Sequence, residues 1–412
     1  MTEKSGHKNG DDRFDLVLYG ATGFTGRLVA EYLMEQRTSL RFALAGRSRA
    51  RLEEVRAALA TIDPAAAALP IVVGDSLDAA AMDAIAKQSR VVCSTVGPYA
   101  LYGSALVAAC AAHGTAYCDL TGEPDWVRAM IDAHHDRAVE TAARIVTCCG
   151  FDSIPSDLGV FLLHEHVARR GKKLAAAHLR VRDIKGGPSG GTIATVLSLA
   201  ERINDPAVKR VLGDPYALNP EGARTGPDAR DQMGVRRDSP SGRWTAPFVM
   251  ASINARVVRR SNALLDFAYG SDFRYDEAMD MGAGPKGFFR AVGLGAGLGL
   301  FFGAAALRPT RALLRRFLPA PGEGPGAVAR ASGSFRIAID GVTTDGEHFR
   351  AWVCADRDPG YGATAIMLGE SARCLAEDTL PPRGGILTPA ASMGMKLIER
   401  LRRAGMKFEV EG

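Results

Sequence analysis

The stretch YGATGFTGRLVAEYL, residues Tyr19 to Leu33, directly follows the apolar run FDLVLY that begins at Phe14. Three glycines, Gly20, Gly23 and Gly26, recur every third residue where a strand gives way to a helix, and that context gives the spacing its meaning. Gly20 permits a tight turn, Gly23 lets the main chain approach a pyrophosphate without a Cβ, and Gly26 lets the helix lie close to the strand. N–H groups at the helix start, reinforced by the helix dipole, then favour an anion. An ordinary strand-to-helix turn needs one glycine, not three at this period. Gly20, Ala21, Thr22, Gly23, Phe24, Thr25 and Gly26 therefore read as a phosphate cradle.

Outward from this loop, short apolar strands alternate with helices as far as about Gly150. RFALAG, LPIVVGD, RVVCSTVG, TAYCDL and ARIVTCCG read as strands, and the segments between them carry apolar residues three and four apart. Strict alternation predicts an α/β, Rossmann-type doubly wound parallel sheet over residues 13–150. The second strand ends in Gly46 and is followed by RSRAR, where an NAD site would carry Asp or Glu. That substitution favours NADP(H): Arg47 and Arg51 can pair with a 2'-phosphate and Ser48 can donate a hydrogen bond to it. Asp75, after the third strand, is placed to accept from an adenine amino group or to cap a helix. Val96, Gly97 and Pro98 follow the fourth strand at the sheet's C-terminal edge, beside the expected nicotinamide ribose, with Tyr99 next to them.

Beyond Gly150 the rhythm becomes that of an inserted α+β domain, read as residues 151–384. KLAAAHLRVRDIKG reads as a strand, GGTIATVLSLAERIND as a helix, and SFRIAIDGVTTDGEHFRAWVCA as a hairpin turning at Asp345 and Gly346. Residues 214–242, rich in Pro, Gly, Asp and Arg, read as a long loop or lid. Residues 385–412 read as an amphipathic helix, with a cationic last turn, that returns to the first domain. AVGLGAGLGLFFGAAAL, residues 291–307, is seventeen uncharged residues between basic flanks. It is slightly short of the roughly 20 apolar residues of a membrane span. Two readings stay open, a buried glycine-spaced helix and an element facing a membrane surface.

The whole chain of 412 residues, 47% hydrophobic and 24% charged, can bury a large core. Its net charge of +5 is mild and its basic residues are dispersed, so no nucleic-acid partner is expected. Seven cysteines lack metal or redox spacing, and the polar leader of residues 1–12 reads as disordered with no secretory core. A cytoplasmic location is the expectation, peripheral to the inner membrane if residues 291–307 meet lipid. No metal site is expected: His134 and His135 lie on one helix, and His164 and His166 point to opposite sides of another.

Glycine spacing of this kind also occurs in extended short-chain dehydrogenases, which need a Tyr with Lys four residues later. None of the nine tyrosines has that partner. The ordered set YGATGFTG, LAGRS, STVGPYALYG, YCDLTGE and CCGFDSIPSDLG, continued through GGTIATVLS and TPAASMG, resembles the saccharopine dehydrogenase-like family, and within it the trans-acting enoyl reductases. The resemblance implies NADPH-dependent reduction of a carbon–carbon double bond on a carrier-bound or thioester-bound acyl chain, with phthiocerol-type lipids as the family example. A homodimer is a further expectation. Two alternatives stand beside it: a saccharopine-type dehydrogenase acting on an amino-acid conjugate, and a non-catalytic nucleotide-binding protein of lipid surfaces. Enoyl reduction requires a hydride acceptor site, a donor to the thioester oxygen and a proton for the α-carbon. Loops at the sheet's C-terminal edge supply the candidates: Tyr99 and Tyr102, then Tyr117, Asp119, Thr121 and Glu123, then Asp152, Ser153 and Ser156. Tyr99 or Tyr117 is the expected proton donor, because a neutral phenol polarises a carbonyl without changing charge.

Overall fold

The computed structural model describes residues 12–186, 197–202, 204–239, 241–306, 309–311, 326 and 332–411. The first part runs β1 (Phe14–Tyr19), α1 (Phe24–Glu35), β2 (Phe42–Gly46), α2 (Arg49–Ala60), β3 (Ile71–Val73), α3 (Ala79–Lys87), β4 (Ser89–Ser94), α4 (Tyr99–Tyr102), α5 (Ser104–His113), β5 (Ala116–Asp119), α6 (Pro124–Glu140) and β6 (Arg144–Val146). The second runs α7 (Ile154–Ala168), β7 (Leu174–Lys185), α8 (Pro206–Gly213), β8 (Arg236–Arg237), β9 (Trp244–Ala246), α9 (Ala251–Leu264), β10 (Arg274–Gly282), α10 (Gly284–Ala306), β11 (Ser334–Thr343), β12 (His348–Ala355), α11 (Thr364–Glu377), β13 (Gly385–Leu387), α12 (Pro389–Ser392), α13 (Gly394–Arg403) and β14 (Lys407–Glu411).

Strands β1 to β6 and β13 form one parallel sheet in the order β13-β6-β5-β4-β1-β2-β3. Every residue of β2 is buried, as a strand covered on both faces requires. The order reverses between β1 and β4, and such a switch point opens a crevice at the carboxyl ends of the strands. Helix α11 packs on α1, β4 and β5, so it belongs to the layers of this sheet although the sequence reading assigned it to the second domain. The reason is a tertiary fit. A Cβ on Gly369 of α11 would lie 2.7 Å from the Tyr32 ring of α1, and the Tyr32 hydroxyl donates to Glu370 at 2.7 Å.

The second sheet has the order β14-β12-β11-β7-β10-β9-β8 and is antiparallel except for β7 against β10. Helix α7 covers one face closely: a Cβ on Gly159 would lie 2.3 Å from Ile339 of β11. The C-terminal segment divides between the two sheets. β13 extends the first, whereas β14 pairs with β12 of the second. The single amphipathic helix expected there is broken into α12 and α13 at Gly394, whose φ of +46° suits glycine.

The described residues of 214–242 form a loop with only the two-residue β8 among them, and it is pinned to α9: Arg256 pairs with Asp231 at 2.8 Å and Arg259 with Asp228 at 2.6 Å. The helix expected over residues 190–205 is helical over 197–202, while 190–196 and 203 lie outside the described residues. Helix α10 overturns the buried reading of the apolar segment. It rests on β9 and β10 at its start, but Phe289 is 70% and Leu300 76% exposed.

Candidate active site

The turn between β1 and α1 has no room for a side chain at Gly20 or Gly26. Gly20 has φ +92°, and a Cβ there would stand 2.6 Å from Thr95 Oγ1 and 2.7 Å from Val96. A Cβ on Gly26 would lie 2.1 Å from the Gly20 carbonyl oxygen. Gly23 donates its N–H to that same carbonyl at 3.0 Å and stands at the N-cap of α1, where no side chain caps the helix. An anion is thus the natural partner for this helix start. Ala21 is buried beneath the loop, while Thr22, Phe24 and Thr25 are half-buried around it. The Phe24 ring meets Tyr361 edge-on at 4.6 Å, which ties the cradle to the chain entering α11. Thr95 also donates its hydroxyl to the Gly20 carbonyl at 3.1 Å. It bolts the β4 loop to the cradle, a role that no local pattern announces.

At the end of β2, Ser48 caps α2 by accepting the Arg51 N–H at 3.5 Å. Arg47 and Arg51 are exposed on either side of that cap, and neither forms an ion pair among the described residues. Two guanidinium groups left in water at a helix start, where the dipole disfavours them, suit a dianionic 2'-phosphate. Asp75 does not cap α3. It folds back on the Leu77 N–H at 3.0 Å, and Asp78 caps the helix instead. Nearby, the Tyr19 hydroxyl donates to the Gly74 carbonyl at 3.1 Å, and burial pushes this phenol up to about 12.

Beyond β4, Val96 lies against the cradle, and Gly97 and Pro98 lead into α4. The two tyrosines expected to give up a proton are committed elsewhere. Tyr99 is 3% exposed, donates to the Ser94 carbonyl at 3.1 Å, accepts the Leu120 N–H at 3.4 Å and stacks near Trp126 at 5.3 Å. Tyr117 is fully buried in the core and donates to Asp119 at 3.0 Å. Burial, and then the Asp119 carboxylate, hold both phenols far above their ordinary value. In this structure both phenols, the expected proton donors, serve as loop clamps. Tyr102 is half-buried and its hydroxyl makes no hydrogen bond among the described residues.

The carboxylates of the β5 loop are also tied down. Asp119 accepts from Thr121 N at 3.1 Å, Cys148 N at 3.0 Å and the Tyr117 hydroxyl, and burial still raises it to about 7. Glu123 accepts the Tyr99 and Ala100 N–H groups at 2.7 and 3.1 Å and so caps α4, with Arg202 at 3.5 Å.

The β6 loop differs. Ser153 donates to Asn254 at 3.0 Å, Asn254 to Glu277 at 3.1 Å, and the Tyr275 hydroxyl to Glu277 at 2.6 Å. This buried chain links the first sheet's edge to α9 and β10. Ser156 adds a side-chain contact to Glu277, which burial lifts to about 7. Asp152, immediately before Ser153, is partly exposed and makes no hydrogen bond or ion pair among the described residues. Asn254, Glu277 and Thr95 are missing from the sequence-derived site because only tertiary contacts bring them to it.

A crevice at the switch point, a cradle closed to any Cβ at Gly20 and Gly26, and two arginines beside the second strand define an NADP-binding, Rossmann-type oxidoreductase. Residues 16–146 match the family model of the saccharopine dehydrogenase NADP binding domain. Over 96% of its length the chain is 48% identical to a candidate trans-acting enoyl reductase of Mycobacterium tuberculosis, covering 97% of that protein. It is 42% identical to the trans-acting enoyl reductase of Mycobacterium ulcerans, across 95% of this chain and 96% of that one. The chain belongs to this trans-acting enoyl reductase family of saccharopine dehydrogenase-like proteins. Its fold is that of apo saccharopine dehydrogenase (L-Glu forming) from Saccharomyces cerevisiae, with a TM-score of 0.51 at 11% identity, covering 96% of this chain and 99% of the other.

Proposed function

We propose that this protein reduces a carbon–carbon double bond of an acyl thioester with NADPH, the acyl chain being carried on a partner in lipid and polyketide assembly of the phthiocerol type. The cradle, closed to any Cβ at Gly20 and Gly26, carries the reading, together with the near full-length similarity to enoyl reductases. The residues fit the cofactor. Gly20 to Gly26 would hold the pyrophosphate, Arg47, Ser48 and Arg51 the 2'-phosphate, Asp75 the adenine edge, and Val96, Gly97 and Pro98 the nicotinamide ribose. When bound, NADPH supplies the hydride that goes to the β-carbon. The protein must orient the thioester beside the β4, β5 and β6 loops, exclude water there and deliver one proton to the α-carbon.

Helix α10 supports the second part of the reading, contact with a lipid surface. Its 23 residues include exposed Phe289, Val292, Leu300 and Phe302, and Arg236, Arg237, Lys286 and Arg290 stand near its start. An apolar face with a cationic collar suits an anionic membrane surface. Where long acyl chains are built at a membrane, such contact would bring the enzyme beside its substrate.

The deciding experiment incubates the purified protein with 4-deuterated NADPH and a carrier-bound enoyl chain. The expected product is the saturated chain with deuterium at the β-carbon. NADPH binding without transfer would favour the non-catalytic alternative, and turnover of glutamate with an aldehyde would favour the saccharopine-type one.

A further inference from the structure

We propose that Asp152 is the group that protonates the α-carbon, an assignment that rests on the enoyl-reductase reading above. Among the carboxyl groups gathered at the C-terminal edge of the first sheet, Asp119 holds three donors, Glu123 caps α4, Asp157 accepts from Ser261 and from the Ala390 N–H, and Glu277 holds Tyr275 and Asn254. Asp152 alone among these makes none of these bonds among the described residues, and it retains access to solvent.

Its surroundings also suit the role. The carboxyl faces the β5 loop, where a Cβ on Gly122 would lie 3.3 Å from Asp152 Oδ2 and 3.4 Å from the Met250 methyl at the start of α9. A bare glycine on one side and a thioether on the other thus stand against a carboxyl oxygen, with no side chain of the β5 loop bonded to it. The backbone beneath is held firmly: Phe151 donates its N–H to Thr364 at 3.1 Å, and Ser153 is fixed to Asn254. Asp152 is therefore a free acid on a braced loop, one strand from the β5 loop and two from the loop that touches the cradle.

The step balances. Hydride from NADPH forms the new bond at the β-carbon, and the π pair shifts toward the α-carbon and thioester oxygen. The Asp152 O–H bond then breaks as the α-carbon C–H bond forms. The resulting carboxylate regains a proton from solvent, leaving NADP⁺ and the saturated thioester. Burial raises this carboxyl to about 7, so a useful share is protonated at neutral pH. Cys148, on its own loop, is a titratable neighbour that feels its charge. The Cys148 thiol is held well above its usual value by burial, then by Asp119, with Asp152 a lesser contributor.

The test compares Asp152→Asn, Asp152→Glu and Tyr102→Phe with the unchanged enzyme, measuring NADPH affinity by fluorescence and kcat across pH 5–9 on one enoyl thioester. We expect Asp152→Asn to bind NADPH normally, which shows that it folds, while kcat falls roughly 100-fold or more. The decline in kcat above about pH 7 should disappear in that variant, and Asp152→Glu should restore part of the rate. Unchanged kcat and pH profile in Asp152→Asn, or transfer of the alkaline limb to Tyr102→Phe, overturns the assignment while leaving the reductase reading intact. An unchanged enzyme that binds NADPH and reduces no enoyl thioester overturns the reading itself, and the assignment with it.

Discussion

Arg47 and Arg51 are where a single residue's chemistry chooses the cofactor. They flank the Ser48 cap, lie in water and have no acidic partner among the described residues. A charge-assisted hydrogen bond to a phosphate contributes about 1.5–3 kcal/mol, which corresponds to roughly 10–100-fold in affinity. Replacing both arginines with alanine should therefore weaken NADPH binding by that order and leave NADH binding nearly unchanged, as read by competitive fluorescence titration. Equal losses for the two cofactors would show that the pair acts on the fold and not on the 2'-phosphate. The cradle residues were legible in sequence because glycine at a period of three has a direct steric meaning. Thr95 was not, since its contact with Gly20 crosses 75 residues of chain.

Among the elements, α10 departs most from what a soluble helix presents. Helices in water bury an apolar stripe, yet this one leaves Phe289 and Leu300 mostly exposed. At 1.5 Å per residue its 23 residues extend about 34 Å, comparable with the ~30 Å apolar core of a bilayer. Co-sedimentation with vesicles containing phosphatidylglycerol should be strong for the unchanged protein and largely lost in a Phe289→Glu, Leu300→Glu double variant. High salt should weaken it, through screening of Lys286, Arg290, Arg236 and Arg237. Equal binding to neutral vesicles would discount the cationic collar, and no binding at all would remove the membrane reading. The alternation of strands and helices in the first third, and the hairpin from Ser334 to Ala355, were readable from their apolar periods. The assignment of α11 to the first sheet was not, because amphipathic periodicity states that a helix packs without naming its partner.

For the whole molecule, the join between the two sheets is built on buried carboxyl groups. Asp119, Asp157 and Glu277 are each raised to about 7 by burial, against the hydrogen bonds that lower them. Their unfolded values lie near 4, so the stability they contribute is complete below about pH 4 and is lost as pH rises through about 7. The urea midpoint should accordingly fall between about pH 5 and 8. Asp157→Asn, which cannot ionise, should show a shallower fall. A midpoint that rises over that window, or an identical slope in the variant, would contradict burial of these acids in their neutral form. The same acids show why the site was only half legible. Asp119, Asp152 and Asp157 could be placed at the sheet's edge by counting strands, but which of them is free and which is tied depends on Ser261, Ala390 and Cys148 arriving from elsewhere.

Sequence by itself determined the parallel nucleotide-binding sheet, the phosphate cradle and the preference for NADP, because each rests on local sterics or charge within a few residues. Tertiary structure alone decided that Tyr99 and Tyr117 are clamps, that Asp152 is the unbonded acid, that α10 is exposed and that the C-terminal chain serves both sheets. Hydrogen-bond partners, burial and the face a helix turns toward its neighbours are properties of distant segments meeting, and no local pattern encodes them.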